Sequence, residues 1–207
     1  MDTSRETDLN TEQKIKEAAR KVFLEKGFDG AKLKHIAQEA DVNIALVNYY
    51  FRSKEQLYKS IFLEAFKNFF GTIYHLLNDE LPLEIKIWKL IDRYTDFLAA
   101  NPHLPLFVLS ELLKGGGVLI TDLEMPKLLK TSHFVMQLRE EGERGTIRKV
   151  DPIQVLSTLI GTLVLPFMAK PIITLIADFE NEEQFRVFLE NRKTVVFEMV
   201  MGYLRSR

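Results

Sequence analysis

Residues 31–57 read AKLKHIAQEADVNIALVNYYFRSKEQL, and this stretch decides the fold. Apolar residues recur at helical spacing on both sides of a short polar break. The spacing predicts two short helices, over about 33–40 and 44–50. The break between them is Asp41-Val42-Asn43, so the stretch has the pattern of two helices joined by a three-residue turn.

The helix upstream of this pair supplies the surface on which the two short helices pack. Asn10 and Gln13 have the spacing of an N-terminal cap, and Gly27 can adopt the left-handed backbone that ends a helix. Phe28 is then placed to fold back on Phe23. The predicted apolar face between these ends comprises Ile15, Ala18, Ala19, Val22 and Phe23.

The helix downstream begins at Ser53, which forms a capping box with Gln56 and opens a run of apolar residues to about residue 77. Five more helices are predicted over about 83–100, 102–114, 126–143, 152–177 and 182–205, with a loop at the three glycines 115–117. Strand alternation and hairpin signals are absent. The sequence therefore predicts an all-α protein of about nine helices.

Composition limits the classes of function. The 207 residues include no cysteine and carry a net charge of −1. The polar N-terminus lacks the apolar core of a secretory signal. Residues 10–60 contain ten Lys or Arg against seven Asp or Glu, whereas the rest of the chain is acidic. A basic head on an acidic body is compatible with a nucleic-acid partner, although a solvated face has the same charge pattern.

The motifs of catalysis and metal binding are absent from the sequence. The four histidines show no metal-ligand spacing, the glycines at 115–117 lack the Lys-Ser/Thr of a phosphate loop, and no Gly-x-Ser-x-Gly occurs. We therefore expect no metal, no cofactor and no enzymatic activity. A helical module that binds another protein is an alternative, but it leaves the basic unit without a purpose.

The helix-turn-helix resembles the DNA-binding domain of the TetR family of bacterial transcriptional regulators. The match is densest over 11–62 and rests on Ile36-Ala37, Glu39-Ala40, Val42, Tyr50-Phe51, Ser53-Lys54-Glu55 and Leu57. A looser match, Gly145-Thr146-Ile147-Arg148 before Asp151-Pro152, resembles the family's entry to its dimerising helices. The chain departs from the family at Asp41, where glycine is usual, but aspartate tolerates a left-handed backbone.

The resemblance implies a homodimeric regulator of transcription, with repression as the expected mode, that binds double-stranded DNA in the cytoplasm. The DNA-binding domain is expected over 1–54 and the effector-binding and dimerisation domain over 55–207. The second short helix fits the major groove, where Asn48 can read adenine and Leu46 can touch a thymine methyl. The candidates for phosphate contacts are Lys34, Tyr49, Tyr50 and Lys54, although isolated lysines are usually solvated charges.

The remaining helices are expected to hold an unidentified small-molecule effector. The candidate pocket residues are Phe66, Phe70, Trp88, Tyr94, Phe107 and His133. The same aromatic residues also suit an ordinary core, and a lone histidine is more often structural. The sequence therefore names neither the effector nor the residues that hold it with any precision.

The last two predicted helices are expected to pair with those of a second copy as a four-helix bundle. The candidate interface residues are Leu156, Ile160, Gly161, Val164, Val196 and Val200. The uncharged run 152–169 also has the minimum length of a membrane span. Its polar residues and the dimer explanation favour a soluble core, so we expect no membrane partner.

Overall fold

A computed structural model of the chain describes residues 3–113 and 125–206, with side chains from Asn10 onward except those of residues 24, 66, 107, 110–112, 125 and 126. All regular structure in these residues is helical. The eleven helices within them are α1 (Thr3–Gly30), α2 (Leu33–Glu39), α3 (Ile44–Phe51), α4 (Lys54–Asn78), α5 (Leu83–Ala100), α6 (Leu104–Leu113), α7 (Met125–Lys130), α8 (His133–Arg144), α9 (Pro152–Met168), α10 (Lys170–Ile176) and α11 (Glu182–Arg205).

The all-α prediction is confirmed, but two of the predicted helices are each divided in two. The helix expected over 126–143 breaks before α8, where Ser132 takes an extended backbone (φ −65°, ψ 147°). The helix expected over 152–177 ends at Met168, and α9 and α10 are bent by 74°. Pro171 explains this bend, because it has no N–H for the carbonyl of Phe167 and its ring clashes with that carbonyl. The loop predicted at 115–117 lies outside the described residues.

The first helix begins earlier than expected and is interrupted where expected. α1 starts at Thr3, so the predicted cap at Asn10 is wrong and Asn10 lies inside the helix. Gly27 has φ 65° and ψ 173°, a conformation outside the helical region that glycine adopts without a steric penalty. The ring of Phe28 lies 6.1 Å from that of Phe23, which confirms the predicted fold-back.

The chain packs into two compact units, residues 1–68 and 69–207. In the first unit, α1 buries the whole of its predicted apolar face. The core is completed by Ile36 and Ala37 of α2, Val47 and Phe51 of α3, and Leu57, Tyr58, Ile61 and Phe62 of α4. The division between the units falls inside α4, whereas the functional boundary after residue 54 stays a prediction.

In the second unit, α5 packs against α9 and α11 around a large core. The core combines Leu83, Ile87, Leu90 and Ile91 of α5, Phe134 and Leu138 of α8, Val155, Leu159 and Leu163 of α9, and Val196, Val200, Met201 and Leu204 of α11. α11 is fastened to α5 by Lys193, whose ammonium lies 2.9 Å from Asp92 and 2.7 Å from Asp96. Burial lowers the pKa of Lys193, but hydrogen bonds to these carboxylates outweigh it and raise the pKa.

A proline inside α9 is compensated by an arginine on α11. Pro166 has no N–H to donate to the carbonyl of Thr162. The guanidinium of Arg192 takes that place, with Nη2 3.0 Å and Nε 3.3 Å from the Thr162 oxygen. The pair joins α9 to α11 at a point where an unsatisfied carbonyl would otherwise remain.

No single helix in the described part of the chain has the length and hydropathy of a membrane span. α9 and α10 reach that length and hydropathy only when they are counted as one segment, and they are bent by 74° at the break between them.

Candidate functional site

The turn between α2 and α3 has the geometry that the sequence predicts. Asp41 adopts a left-handed backbone with φ 50°. The N–H of Val42 then donates to the Ala37 carbonyl at 3.0 Å. Asn43 caps α3, since its Oδ1 accepts the N–H of Leu46 at 2.7 Å. The turn is therefore held by its own backbone and one cap, without glycine.

α3 has one buried face and one outward face. Val47 and Phe51 are 0% and 7% exposed and form the buried side of α3, which packs against α2. On the opposite side, Tyr49 is 75% exposed. Ile44 lies three residues before Val47 and so on the same side as Val47, and it is 47% exposed at the start of the helix. Ala45 and Asn48 are exposed beside Tyr49, and Arg52 continues this face just beyond the helix.

The structure brings together only some of the residues proposed from the sequence. Asn48 and Tyr49 lie on the outward face of α3, whereas Leu46 and Tyr50 are half-buried at its edges. Lys34 is exposed on α2.

Sequence reasoning assigned no DNA contact to Ala45 or Arg52, which share the outward face of α3. The helical period could have indicated these two residues, because the buried positions of Val47 and Phe51 determine which side of α3 is outward.

Lys54 is placed differently from the phosphate contact expected of it. Its ammonium donates to the Phe28 carbonyl at 2.8 Å and the Ala31 carbonyl at 3.3 Å. It also lies 4.1 Å from the centre of the Phe28 ring. Lys54 therefore ties the first turn of α4 to the end of α1, and this corrects its assignment as a cation directed at DNA.

Three lysines form a basic cluster at the junction of α1 and α2. Lys26, Lys32 and Lys34 are exposed and have no ion-pair partner within the described ranges. In contrast, Lys21 of α1 pairs with Glu39 at 2.6 Å. Burial lowers the pKa of His35, and Lys26, Lys34 and Lys32 lower it further. The cluster therefore produces a positive potential beside α2.

The similarity of this chain to known proteins agrees with a helix-turn-helix formed by α2 and α3. Residues 15–61, which span the helix-turn-helix, match the model of the bacterial regulatory proteins of the tetR family. The HTH-type transcriptional repressor SCO4008 of Streptomyces coelicolor is 32% identical over 146 residues, which cover 69% of this chain and 70% of that protein. The chain belongs to the TetR family of bacterial transcriptional regulators.

Two further similarities extend over most of this TetR-family chain. The probable HTH-type transcriptional regulator YttP of Bacillus subtilis is 24% identical over 180 residues, or 86% of each chain. The structure of the regulator FadR of Bacillus subtilis, in complex with stearoyl-CoA, shares the fold with a TM-score of 0.63 and 18% identity. That likeness covers 93% of this chain and 99% of the other. The TetR architecture thus extends through both units.

The predicted pocket residues of this TetR-family regulator from Phe70 onward are spread over the second unit, whereas Phe66 belongs to the first. Phe70 is buried beside Tyr74, and Trp88 lies on the surface against Phe197, with 5.4 Å between ring centres. The Tyr94 ring lies 5.1 Å from Phe69, and burial raises the pKa of Tyr94 to about 12. The side chains of Phe66 and Phe107 lie outside the described residues.

His133 belongs to a polar group inside the second unit. Its Nδ1 lies 2.9 Å from the ammonium of Lys86, which is 0% exposed and also approaches the Leu77 carbonyl at 3.4 Å. The backbone N–H of His133 donates to Asn78 at 3.1 Å. Burial lowers the pKa of Lys86, while Asp79 and Glu141 act in the opposite direction. This group joins the end of α4 to α5 and α8.

The predicted dimer residues divide between the surface and the core. Ile160 and Gly161 are exposed on α9, and Leu156 and Val164 are half-buried beside them. Val196 and Val200 are only 1% and 6% exposed and belong to the core of the protomer, which corrects their assignment to the interface. The sequence placed them wrongly because α11 is apolar on more than one side.

The residues of α11 that face outward are the neighbours of those two valines. Val195, Met199 and Tyr203 are 48%, 61% and 48% exposed. A groove of about 490 Å³ lies between α9 and α11 and is lined by Gln154, Val155, Thr158, Thr162, Val196, Met199, Val200 and Tyr203. No group of three or more His, Asp or Glu side chains in the described residues is placed to hold a metal ion.

Proposed function

We propose that this TetR-family regulator is a ligand-responsive repressor that binds a palindromic operator as a homodimer. The observation that carries the proposal is the outward face of α3, which presents Ala45, Asn48 and Tyr49 on a helix capped at its start. A single helix fits the major groove, where each base pair shows a distinct pattern of donors, acceptors and methyl groups. This face is therefore the reading surface of the protein.

Within this surface, each side chain has a role set by its chemistry. The Asn48 amide can pair bidentately with adenine, and Ala45 suits the methyl group of thymine. Tyr49 and Lys34 are placed for phosphates, which fix the position of the protein but carry no sequence information. Leu46 and Tyr50 are half-buried and have secondary parts in this scheme.

The proposed homodimer uses the outward faces of α9 and α11. Ile153, Ile160, Val195, Met199 and Tyr203 are each between 46% and 61% exposed, which is unusual for so many large apolar residues on two adjacent helices. Pairing with a second copy would cover them and give a four-helix bundle. A dimer also presents two reading helices about 34 Å apart, one turn of the DNA helix.

The response to a ligand is proposed to travel along α4, which is continuous from Lys54 to Asn78 and so contributes to both units. The complex of the FadR fold relative with stearoyl-CoA supports the idea that this architecture accommodates a small molecule. A ligand that favours one arrangement of the reading heads over another lowers DNA affinity by that preference. Constant DNA affinity under a saturating effector would contradict this coupling.

The decisive experiment is fluorescence anisotropy of the purified protein with DNA from upstream of its own gene, in a salt series with excess random competitor. Saturable binding that survives the competitor supports a sequence-specific regulator. Binding that the competitor removes from every tested promoter region would contradict specific reading by α3. It would favour the alternative of a helical protein-interaction module.

A further inference from the structure

His35, the third residue of α2, lies beside the basic cluster and has no role in the scheme above. Its Nδ1 atom is buried and has no hydrogen-bond partner among the residues that the structure describes. The residue as a whole is only partly buried. Because Nδ1 is enclosed, Nε2 is the ring nitrogen that remains to meet a ligand.

The surroundings of His35 favour the neutral ring. The charged groups that act on it are Lys26 of α1, Lys32 at the start of α2 and Lys34 beside it, and together with burial they lower the pKa of His35. Protonation would also place an N–H at the enclosed Nδ1, where no acceptor lies. The form that fits is the neutral imidazole with its proton on Nε2, which is a hydrogen-bond donor without charge.

We propose that His35 binds a phosphate of the DNA backbone, with its neutral Nε2–H as the donor and the three surrounding lysines as the attracting charge. The inference rests on the proposed DNA-binding function and adds a residue to it. In helix-turn-helix proteins the first helix of the pair crosses the backbone, and α2 has that position here. Neutral donors account for many of the phosphate contacts in protein–DNA complexes.

A salt series separates a neutral donor from a cation. The probe is a labelled duplex of random sequence, titrated at about pH 8, where an ordinary histidine is uncharged. His35→Ala should weaken binding about tenfold per head, the effect of one hydrogen bond to a charged group. It should leave the salt dependence unchanged, because a neutral residue releases no counterion. Lys34→Ala is the matched control, and it should lower the slope of log K against log salt by about 0.9 per head.

Conservative variants test which ring nitrogen acts. Glutamine places its amide nitrogen near the position of Nε2, whereas asparagine reaches only the position of Nδ1. His35→Gln should therefore restore most of the affinity and His35→Asn should not. Unfolding temperatures of the variants show whether each head is folded, and only variants with the wild-type value are compared.

Three results would overturn the inference. If His35→Ala binds random DNA as the wild type does, His35 does not contact phosphate. If its salt slope falls with that of Lys34→Ala, or if the slope of the wild type steepens toward about pH 6 and that of His35→Gln does not, the residue acts as a cation. Failure of the wild type to bind any DNA would instead refute the proposed function itself, so the two failures are distinguishable.

Discussion

At the residue scale, Lys54 illustrates a cation whose charge is used within the fold. Because its ammonium holds two carbonyls at the end of α1, we expect Lys54→Met to lower the free energy of unfolding by about 1–3 kcal/mol. Chemical denaturation measures the loss, and Lys14→Met, at an exposed position of α1, serves as the control. A phosphate contact would have a different signature: unchanged stability and a flatter salt dependence of DNA binding.

Asn48 has the opposite character, since it is exposed and contributes little to packing. Asn48→Ala should reduce the preference for the operator over random DNA by about 1–3 kcal/mol, the value of one bidentate base contact. Competition titrations with the two DNAs measure this preference. Lys34→Ala should instead weaken both complexes alike. Equal losses on both DNAs for Asn48→Ala would show that the amide does not read a base.

At the element scale, helices with local start and stop signals could be predicted from sequence, and those without could not. Ser53 accepts the N–H of Gln56 at 3.1 Å, as the capping box predicted, and α4 begins directly afterwards. α5 covers 83–100, as predicted. The breaks before Pro171 and at Ser132 were not predicted. The apolar pattern continues across both positions, and at each of them a single residue changes the backbone.

The hydrogen bonds from Arg192 of α11 to the Thr162 carbonyl of α9 give a prediction at this scale. Arg192→Met leaves the Thr162 carbonyl without a donor and should cost about 1–3 kcal/mol of stability. In a Pro166→Ala background the same change should cost at least about 1 kcal/mol less, since alanine restores the helical N–H. Denaturation of the four proteins of this cycle at one protein concentration measures the difference. An identical cost in both backgrounds would show that Arg192 does not serve that carbonyl.

At the scale of the whole molecule, the outward faces of α9 and α11 predict the oligomeric state. Gly161→Glu and Met199→Glu each place a charge on these faces, and we expect each to halve the mass measured by light scattering, because a buried unpaired charge is costly. Within the protomer, a Cβ added at Gly161 meets no atom within 4 Å, and the position is exposed, so the fold should tolerate the change.

Met136→Glu is the matched control for the dimer. Met136 is 45% exposed on α8, which is neither of the two proposed dimer helices. We expect this variant to keep the mass of the wild type. Full dimerisation of both the Gly161 and Met199 variants would place the interface elsewhere on the surface.

The sequence predicted this face only in part, for a physical reason. A helix that is apolar nearly all round does not show which of its sides meets the core and which meets a second copy. Val196 and Met199 are three residues apart and equally apolar in kind, yet one is 1% and the other 61% exposed. Only the packing of α11 on α5 and α9 distinguishes them. The pocket residues were uncertain for the same reason, since aromatic side chains serve cores and cavities alike.

The first part of α4 has a consequence for how regulators of this architecture can exchange their parts. Leu57, Tyr58, Ile61 and Phe62 are buried in the first unit, and the Tyr58 ring lies 4.9 Å from Phe23. A chimera that joins this DNA-reading module to another sensor immediately after residue 54 would therefore replace these four core residues with the side chains of another protein. Recombination junctions placed after residue 68 keep the four core residues. The evolutionary exchange of DNA-binding and sensor parts among such regulators should therefore favour junctions within α4 rather than at its start.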